Sequence, residues 1–261
     1  MTYEFNLVLF TVFGQLAAGI VLMIWLTGLR RYPESERRAW VAAVISGLLA
    51  LVGGLPHLTS FSPVIHTLSG LGSSWMSLEI LAGGIFGLLV LLRLLNVLKA
   101  ALNPLLGILA IAFVLVITQI YFQNDVVPLW NTWGTIIAFL SVMLALGGVA
   151  LPVLAPEVRD SGNLKICLYT FIVGVIFSSA LPVFWLGSIL APVNQQILPS
   201  FTSAAICMTL TQMGAFALGG IITVAAMPKR PILAGFGAIL VLVGALTGRM
   251  LFYAANIKLG I

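Results

Sequence analysis

Both histidines of the chain, His57 and His66, lie in one polar stretch between two long apolar runs. The same stretch ends near Glu79, a carboxylate several residues inside the second apolar run. A neutral imidazole can accept a proton, and a carboxylate in apolar surroundings can hold one briefly. His57 and Glu79 therefore have the residue types needed to remove protons from a bound substrate, whereas His66 is expected to be a solvated loop residue.

The composition shows where such chemistry must occur. The chain has 261 residues, of which 61% are hydrophobic and only 7% are charged, compared with about 25% charged residues in a typical soluble domain. It is therefore predicted to be an integral membrane protein with a single domain over residues 1–261. At about 20 residues per span, eight helices use nearly all of the sequence, so any chemistry must take place between helices or on a partner.

Apolar windows of helical length predict an all-α fold, a bundle of eight transmembrane helices. The windows cover residues 5–29, 39–55, 76–98, 104–122, 132–153, 164–190, 200–226 and 232–257.

The distribution of basic residues predicts the orientation of this bundle. Ten of the twelve Lys and Arg residues lie in or beside the first, third, fifth and seventh loops: Arg30, Arg31, Arg37, Arg38, Arg93, Lys99, Arg159, Lys165, Lys229 and Arg230. The positive-inside rule makes these loops cytoplasmic, so both termini are expected to be extracytoplasmic. The net charge of +5 is then a topology signal, and no nucleic-acid partner is predicted.

In this orientation the rare ionisable groups gather at the extracytoplasmic ends of the spans. His57 follows the second span, Glu79 lies about one turn inside the third, and Arg249 lies toward the outer end of the eighth. An ionisable residue inside a span costs about 2.5–3.5 kcal/mol on insertion scales and usually has a functional role.

A quinol is a substrate that suits these groups. Its two hydroxyls need proton acceptors, for which we predict His57 and Glu79, and Arg249 would orient the headgroup or pair with Glu79. The walls of the cleft would be aromatic: Trp75, Tyr121, Trp130 and Trp133.

Structural explanations for the same residues remain open. His57 could be an ordinary loop residue, Glu79 a helix-start residue stabilised by the helix dipole, and Arg249 a side chain that snorkels to the headgroups. The aromatic residues are also typical of membrane interfaces. Gln15 and Gln119, which lie inside spans, are expected to hydrogen-bond between helices.

Electrons from a quinol would have to leave this chain on the face where it is oxidised. Two histidines in one outer loop cannot supply the paired axial ligands, at two depths, of a haem path across the membrane. Cys167 and Cys207 fall in different spans and at different depths, which argues against a disulfide or a cysteine-ligated cluster. The redox centre that accepts the electrons is therefore expected on another subunit.

Several motifs together carry a resemblance to one family. They are Phe10–Gly19, His57-Leu58, Ser74–Leu81, the Tyr121–Trp133 stretch and Arg249–Tyr253. On these motifs the chain resembles, over nearly its whole length, the membrane anchor subunit of dimethyl sulfoxide reductase. The spacing from His57 to Glu79 is similar to the family's spacing for its quinol-site histidine and carboxylate.

The resemblance implies a specific complex. This chain would lie in the bacterial cytoplasmic membrane, bind menaquinol and hold no haem or iron–sulfur cluster of its own. Its partners would be an iron–sulfur subunit of the four-cluster ferredoxin-like type and a molybdopterin catalytic subunit. His57 and Glu79 would be the catalytic residues, with Arg249, Trp75 and Tyr121 also binding the menaquinol.

Two other functions remain as alternatives. A proton-coupled secondary transporter of a small solute could use the same residues as a gate, although transporters usually show broken helices and polar groups near the midplane. A purely structural anchor would have no quinone site.

Overall fold

The computed structural model describes residues 2–55, 74–127, 130–160, 162–189, 199–226 and 230–259. His57 and His66 lie outside these residues. Within them the regular structure is helical, and eight long helices follow one another along the chain: α1 (Thr2–Leu26), α2 (Pro33–Gly54), α3 (Trp75–Leu94), α4 (Asn103–Phe122), α5 (Trp133–Leu154), α6 (Leu164–Ile189), α7 (Pro199–Ala226) and α8 (Pro231–Leu259).

Membrane-spanning character is present in most of these helices. Among the described residues, seven helices are long and apolar enough to cross a bilayer, namely α1–α5, α7 and α8. In α6, the stretch Leu164–Ser179 is apolar but shorter. The predicted all-α, multi-pass membrane architecture is therefore confirmed, with seven of the eight expected spans recognised by length and composition.

Two helix boundaries differ from the apolar windows for identifiable reasons. Helix α2 begins at Pro33 instead of residue 39, because proline suits the first turn and because Glu36, which resembles a loop residue in sequence, is buried. Helix α1 ends at Leu26 instead of residue 29, because Gly28 turns the chain in the left-handed region, with φ of 59°.

Helices α1 and α5 form the centre of the bundle. Helix α1 packs against α2, α4, α5 and α8, and α5 packs in addition against α4, α6 and α8. The two central helices touch through their backbones at Gly19 and Gly147, where a Cβ atom on Gly19 would overlap the carbonyl oxygen of Met143. Such close approach is typical of glycine at helix contacts in membranes.

The two ends of the bundle differ in their polar contacts. At one end of the bundle α3 and α5 begin and α2, α4 and α8 terminate, and we call it the Trp75 end. We call the opposite end the Arg93 end. At the Arg93 end, α2, α3 and α4 are joined around Glu36. Its Oε1 atom accepts hydrogen bonds from Arg93 Nη2 at 2.7 Å, Asn103 Nδ2 at 2.8 Å and Trp40 Nε1 at 3.3 Å.

Candidate functional site

Glu79 lies in the second turn of α3, near the Trp75 end. Its Oε1 atom is buried and has no hydrogen-bond partner among the described residues. Buried polar atoms are almost always hydrogen-bonded, and an exception calls for an explanation such as a missing ligand or water. The prediction for its proposed partner His57 stays untested, because that residue lies outside the described part of the chain.

Tyr121 and Tyr253 form a buried pair close to Glu79. Tyr121 comes from the end of α4 and Tyr253 from α8, and their hydroxyl oxygens are 2.7 Å apart. Both residues are almost fully buried. Glu79 lies near enough to interact electrostatically with both phenols, so the structure brings these three side chains together.

An aromatic cluster holds the tyrosine pair in place. The ring of Tyr121 makes edge contacts with Trp130 and Phe252, with ring centroids 5.2 Å apart in both cases. Trp130 stacks on Phe252 at 5.2 Å, and its Nε1 donates a hydrogen bond to the Phe252 carbonyl oxygen at 3.0 Å. The cluster joins α4, α8 and the segment before α5.

Arg249 is buried in the bundle, with 4% of its surface exposed. Its Nη2 donates a hydrogen bond to Gln15 Oε1 at 3.0 Å. Its Cζ lies 3.5 Å from the centroid of the Phe139 ring and 5.2 Å from that of Phe252. The guanidinium therefore does not snorkel to the surface, and within the described residues it forms no ion pair with Glu79.

Arg249 nevertheless belongs to the same group of side chains. It interacts electrostatically with Tyr121 and Tyr253, the two phenols that also interact with Glu79. A carboxylate and a guanidinium thus act on the same phenol pair without contacting each other. This arrangement differs from the direct Glu79–Arg249 pairing that the sequence suggested as one option.

The remaining predicted wall residues separate into two groups. Tyr121 and Trp130 are buried in the aromatic cluster. Trp75 lies at the rim, where its Nε1 donates a hydrogen bond to Gln123 Oε1 at 2.7 Å in an exposed position. Trp133 is 73% exposed, although its ring lies 5.2 Å from that of Phe122.

Gln15, Phe139 and Tyr253 are members of the site that sequence reasoning did not select. The expected interhelical role of Gln15 is confirmed, since its Nε2 donates to the carbonyl oxygen of Phe139 at 2.9 Å. Gln119 instead contacts Gln123, one turn further along the same segment, at 3.4 Å. Tyr253 follows Arg249 by one helical turn, and that spacing was the available signal.

The assembled groups are suited to a ligand with polar atoms on an apolar body. A carboxylate oxygen without a partner, two phenols and a guanidinium lie among aromatic rings, which matches the general character of small-molecule sites. Among the described residues, no group of three or more His, Cys, Asp or Glu side chains could hold a metal ion.

The sequence is similar to one family of membrane proteins along almost its whole length. A family model described as DMSO reductase anchor subunit (DmsC) matches residues 1–255. Two proteins of Escherichia coli (strain K12) are similar over 99% of this sequence and 96% of their own length. They are the YnfH subunit of anaerobic dimethyl sulfoxide reductase, 27% identical over 280 residues, and the C subunit of anaerobic dimethyl sulfoxide reductase, 28% identical over 285 residues.

A third relative has the same extent of similarity. The C subunit of anaerobic dimethyl sulfoxide reductase from Haemophilus influenzae is 27% identical over 278 residues, again covering 99% of this sequence and 96% of the relative. No solved structure matches the protein. The similarity therefore extends along the whole sequence and includes every helix described above.

Proposed function

Because the protein belongs to the family of DMSO reductase anchor subunits, we propose that it oxidises menaquinol near the Trp75 end and passes the electrons to an iron–sulfur subunit. The membership itself makes this protein the membrane anchor subunit of a molybdopterin oxidoreductase, multi-pass and located in the bacterial cytoplasmic membrane. It associates with the catalytic and electron-transfer subunits of that complex.

The buried Glu79 Oε1 without a partner is the observation that carries the proposal. A carboxylate in this position would be costly to bury unless a ligand supplied a hydrogen bond. A quinol hydroxyl would supply one, and its proton could pass to the carboxylate. Tyr121 lies within electrostatic reach of Glu79 and would form part of the wall of this cleft.

The proposed reaction removes two protons and two electrons from the quinol. His57 and Glu79 would accept the protons and release them to water on the extracytoplasmic side. The electrons would pass one at a time to an iron–sulfur cluster in the partner subunit, and from there to the molybdopterin catalytic subunit. Trp75 would lie at the entrance, and Arg249 at the inner side of the headgroup.

The proposed topology has eight spans, with α6 as the sixth and both termini extracytoplasmic. The distribution of charge supports it, because Arg93, Lys99, Lys165 and Arg230 all lie at or near the Arg93 end. That end would then be cytoplasmic. The Trp75 end would face the outside, where the quinol protons are released.

A transport function receives less support from the same features. Proton-coupled carriers usually place their coupling groups at discontinuous helices near the midplane. The described helices of the site are continuous, and Glu79 lies in the second turn of its helix.

The function can be tested in the complex purified with its partner subunits. We expect Glu79→Gln and His57→Ala to abolish the binding of a fluorescent quinol analogue, measured by quenching, and quinol-dependent reduction of the acceptor, with assembly intact. Glu34→Gln is a matched control, because Glu34 is an exposed carboxylate at the Arg93 end, and it should change neither. Normal quinol binding and turnover in both site variants would exclude this function.

A further inference from the structure

Arg249 is a buried cation whose described partners are all uncharged. One of its five N–H donors is bound to Gln15 Oε1, and its flat face lies on Phe139. Burying a charge is unfavourable unless it is paired or serves a function. The position of this charge beside two phenols and near a carboxylate therefore calls for a role in the site.

Gln15 determines how the guanidinium is oriented. Its carboxamide accepts a hydrogen bond from Arg249 in α8 and donates one to the Phe139 carbonyl oxygen in α5. Both ends of the carboxamide are thus engaged, and the side chain is fully buried. A carboxamide held at both ends keeps the cation in one place before any substrate arrives, which is the condition for efficient electrostatic stabilisation.

The Tyr121–Tyr253 pair has one hydroxyl hydrogen that the hydrogen bond within the pair does not use. Each phenol carries one O–H donor, and a single hydrogen occupies the 2.7 Å contact between Tyr121 and Tyr253. The other hydroxyl hydrogen can be donated outside the pair, where the Thr11 hydroxyl beside Tyr253 is the described neighbour and a bound substrate would be the competing acceptor. Hydrogen bonds to a charged acceptor are about twice as strong as neutral ones, and the nearby positive charge of Arg249 also favours an anionic acceptor.

We propose that Arg249 and the Tyr121–Tyr253 pair form an anion-stabilising half of the quinol site, opposite the proton-accepting half at Glu79, and that Gln15 positions Arg249. The inference rests on the proposed function, because it assigns these groups to the same substrate. It adds Tyr253 as a substrate contact and Gln15 as a positioning residue.

The charge balance of the reaction explains why the site needs groups that stabilise an anion. When Glu79 takes the first hydroxyl proton, the headgroup becomes a quinolate with one negative charge. The quinolate then loses two electrons, one after the other, to the iron–sulfur subunit and loses its second proton, giving the neutral quinone. The negative charge exists only between these steps, so groups that stabilise it raise the rate more than they tighten binding.

Among the described residues, two of the helices that would surround the headgroup carry a single titratable or charged group there, and α8 carries two. These groups are Glu79 in α3, Tyr121 in α4, and Arg249 and Tyr253 in α8. Helices α1 and α5 contribute the uncharged Gln15, Thr11 and Phe139. Removing Arg249 therefore removes the positive charge from this group, and formation of the quinolate should then require a higher pH.

The test compares Arg249→Gln, Arg249→Lys and Tyr253→Phe in the intact complex, using quinol-dependent acceptor reduction from acid to alkaline pH. We expect kcat to fall about 100-fold in Arg249→Gln and about 10-fold in Tyr253→Phe, the equivalent of one ordinary hydrogen bond, with KM changed only a few-fold. The pH profile of Arg249→Gln should move toward higher pH. Arg249→Lys keeps the charge and should keep the original pH profile, with a smaller loss of kcat than Arg249→Gln because only the stacking on Phe139 and the fixed orientation are lost.

The outcomes separate this inference from the proposed function. If Glu79→Gln is inactive while Tyr253→Phe and Arg249→Gln keep the wild-type kcat and pH profile, the anion-stabilising role is wrong and quinol oxidation stands. If Glu79→Gln oxidises quinol normally, the proposed function itself is wrong. If Arg249→Gln does not assemble, Tyr253→Phe decides alone, because it removes only a hydroxyl, and a wild-type kcat in that variant overturns the inference.

Discussion

The guanidinium of Arg93 donates a hydrogen bond to the carboxylate of Glu36 across 2.7 Å, and the two side chains are only 6% and 10% exposed. Arg93 Nε also donates to Asn103 Oδ1 at 3.0 Å, so one buried network joins α2, α3 and α4 at the Arg93 end. Helices α2 and α3 also border the proposed quinol site at the other end. The network therefore fixes the relative positions of α2 and α3, on which that site depends.

Removing one partner of this ion pair should be strongly destabilising. We expect Glu36→Ala to cost about 3–5 kcal/mol of stability, because it leaves Arg93 buried without its counter-charge. The measurement is the thermal denaturation of the detergent-solubilised complex. Arg38→Ala is the control, since the Arg38–Glu157 pair is 3.7 Å apart with side chains 51% and 37% exposed, and it should cost at most about 1 kcal/mol. Equal effects of the two changes would contradict the assigned role.

The contact between α1 and α5 should not tolerate even one methyl group. We expect Gly19→Ala to destabilise the subunit by about 1–3 kcal/mol, because the added Cβ would overlap the Met143 carbonyl oxygen. Gly87→Ala is the matched control, since nothing lies within 4 Å of the added atom there, and alanine is the better helix former. Thermal stability of the two variants should therefore change in opposite directions, and a stable Gly19→Ala protein would disprove the close packing.

Two tryptophans three residues apart should respond differently to truncation. Trp130→Ala is expected to cost about 3–5 kcal/mol, because Trp130 is 6% exposed and stacks on Phe252. Trp133→Ala should have a much smaller effect, because its ring is 73% exposed. Thermal unfolding of the pair provides the comparison. Similar losses in both variants would show that the segment before α5 packs differently.

Gln15 and Gln119 offer a similar comparison for buried amides. We expect Gln15→Leu to cost about 1.5–3 kcal/mol, the range for a hydrogen bond to a charged group, because Arg249 would lose its described acceptor. Gln119→Leu should change stability little, since Gln119 makes only a 3.4 Å contact with Gln123. Thermal denaturation of both variants in the same detergent measures the difference. An unaffected Gln15→Leu variant would mean that Arg249 has another acceptor.

Much of the fold could be predicted because the bilayer constrains the sequence so strongly. Windows of apolar residues located all eight long helices, since every span must satisfy its backbone hydrogen bonds internally. Two boundaries were misplaced, one at the Gly28 turn after α1 and one where charge is buried in α2. The charged sequence around Glu36 reads as a loop, and only its tertiary partner Arg93 explains why the helix extends through it.

The site was predicted less completely, because spacing gives depth in the membrane but not the direction of a side chain. Glu79, Tyr121 and Arg249 were selected, and the structure places all three in one group. The sequence could not show that Arg249 would turn inward onto Phe139 and Gln15. Nor could it distinguish the buried Trp130 from the exposed Trp133, since both fit an interfacial belt.

The central position of α1 has a consequence for biogenesis. This helix is synthesised before its neighbours α5, which follows more than a hundred residues later, and α8, which follows later still. Until those helices are inserted, the face that carries Gln15 and Gly19 must remain in contact with lipid or with the insertion machinery. Side-by-side assembly of the bundle can therefore be completed only after α8 has been inserted.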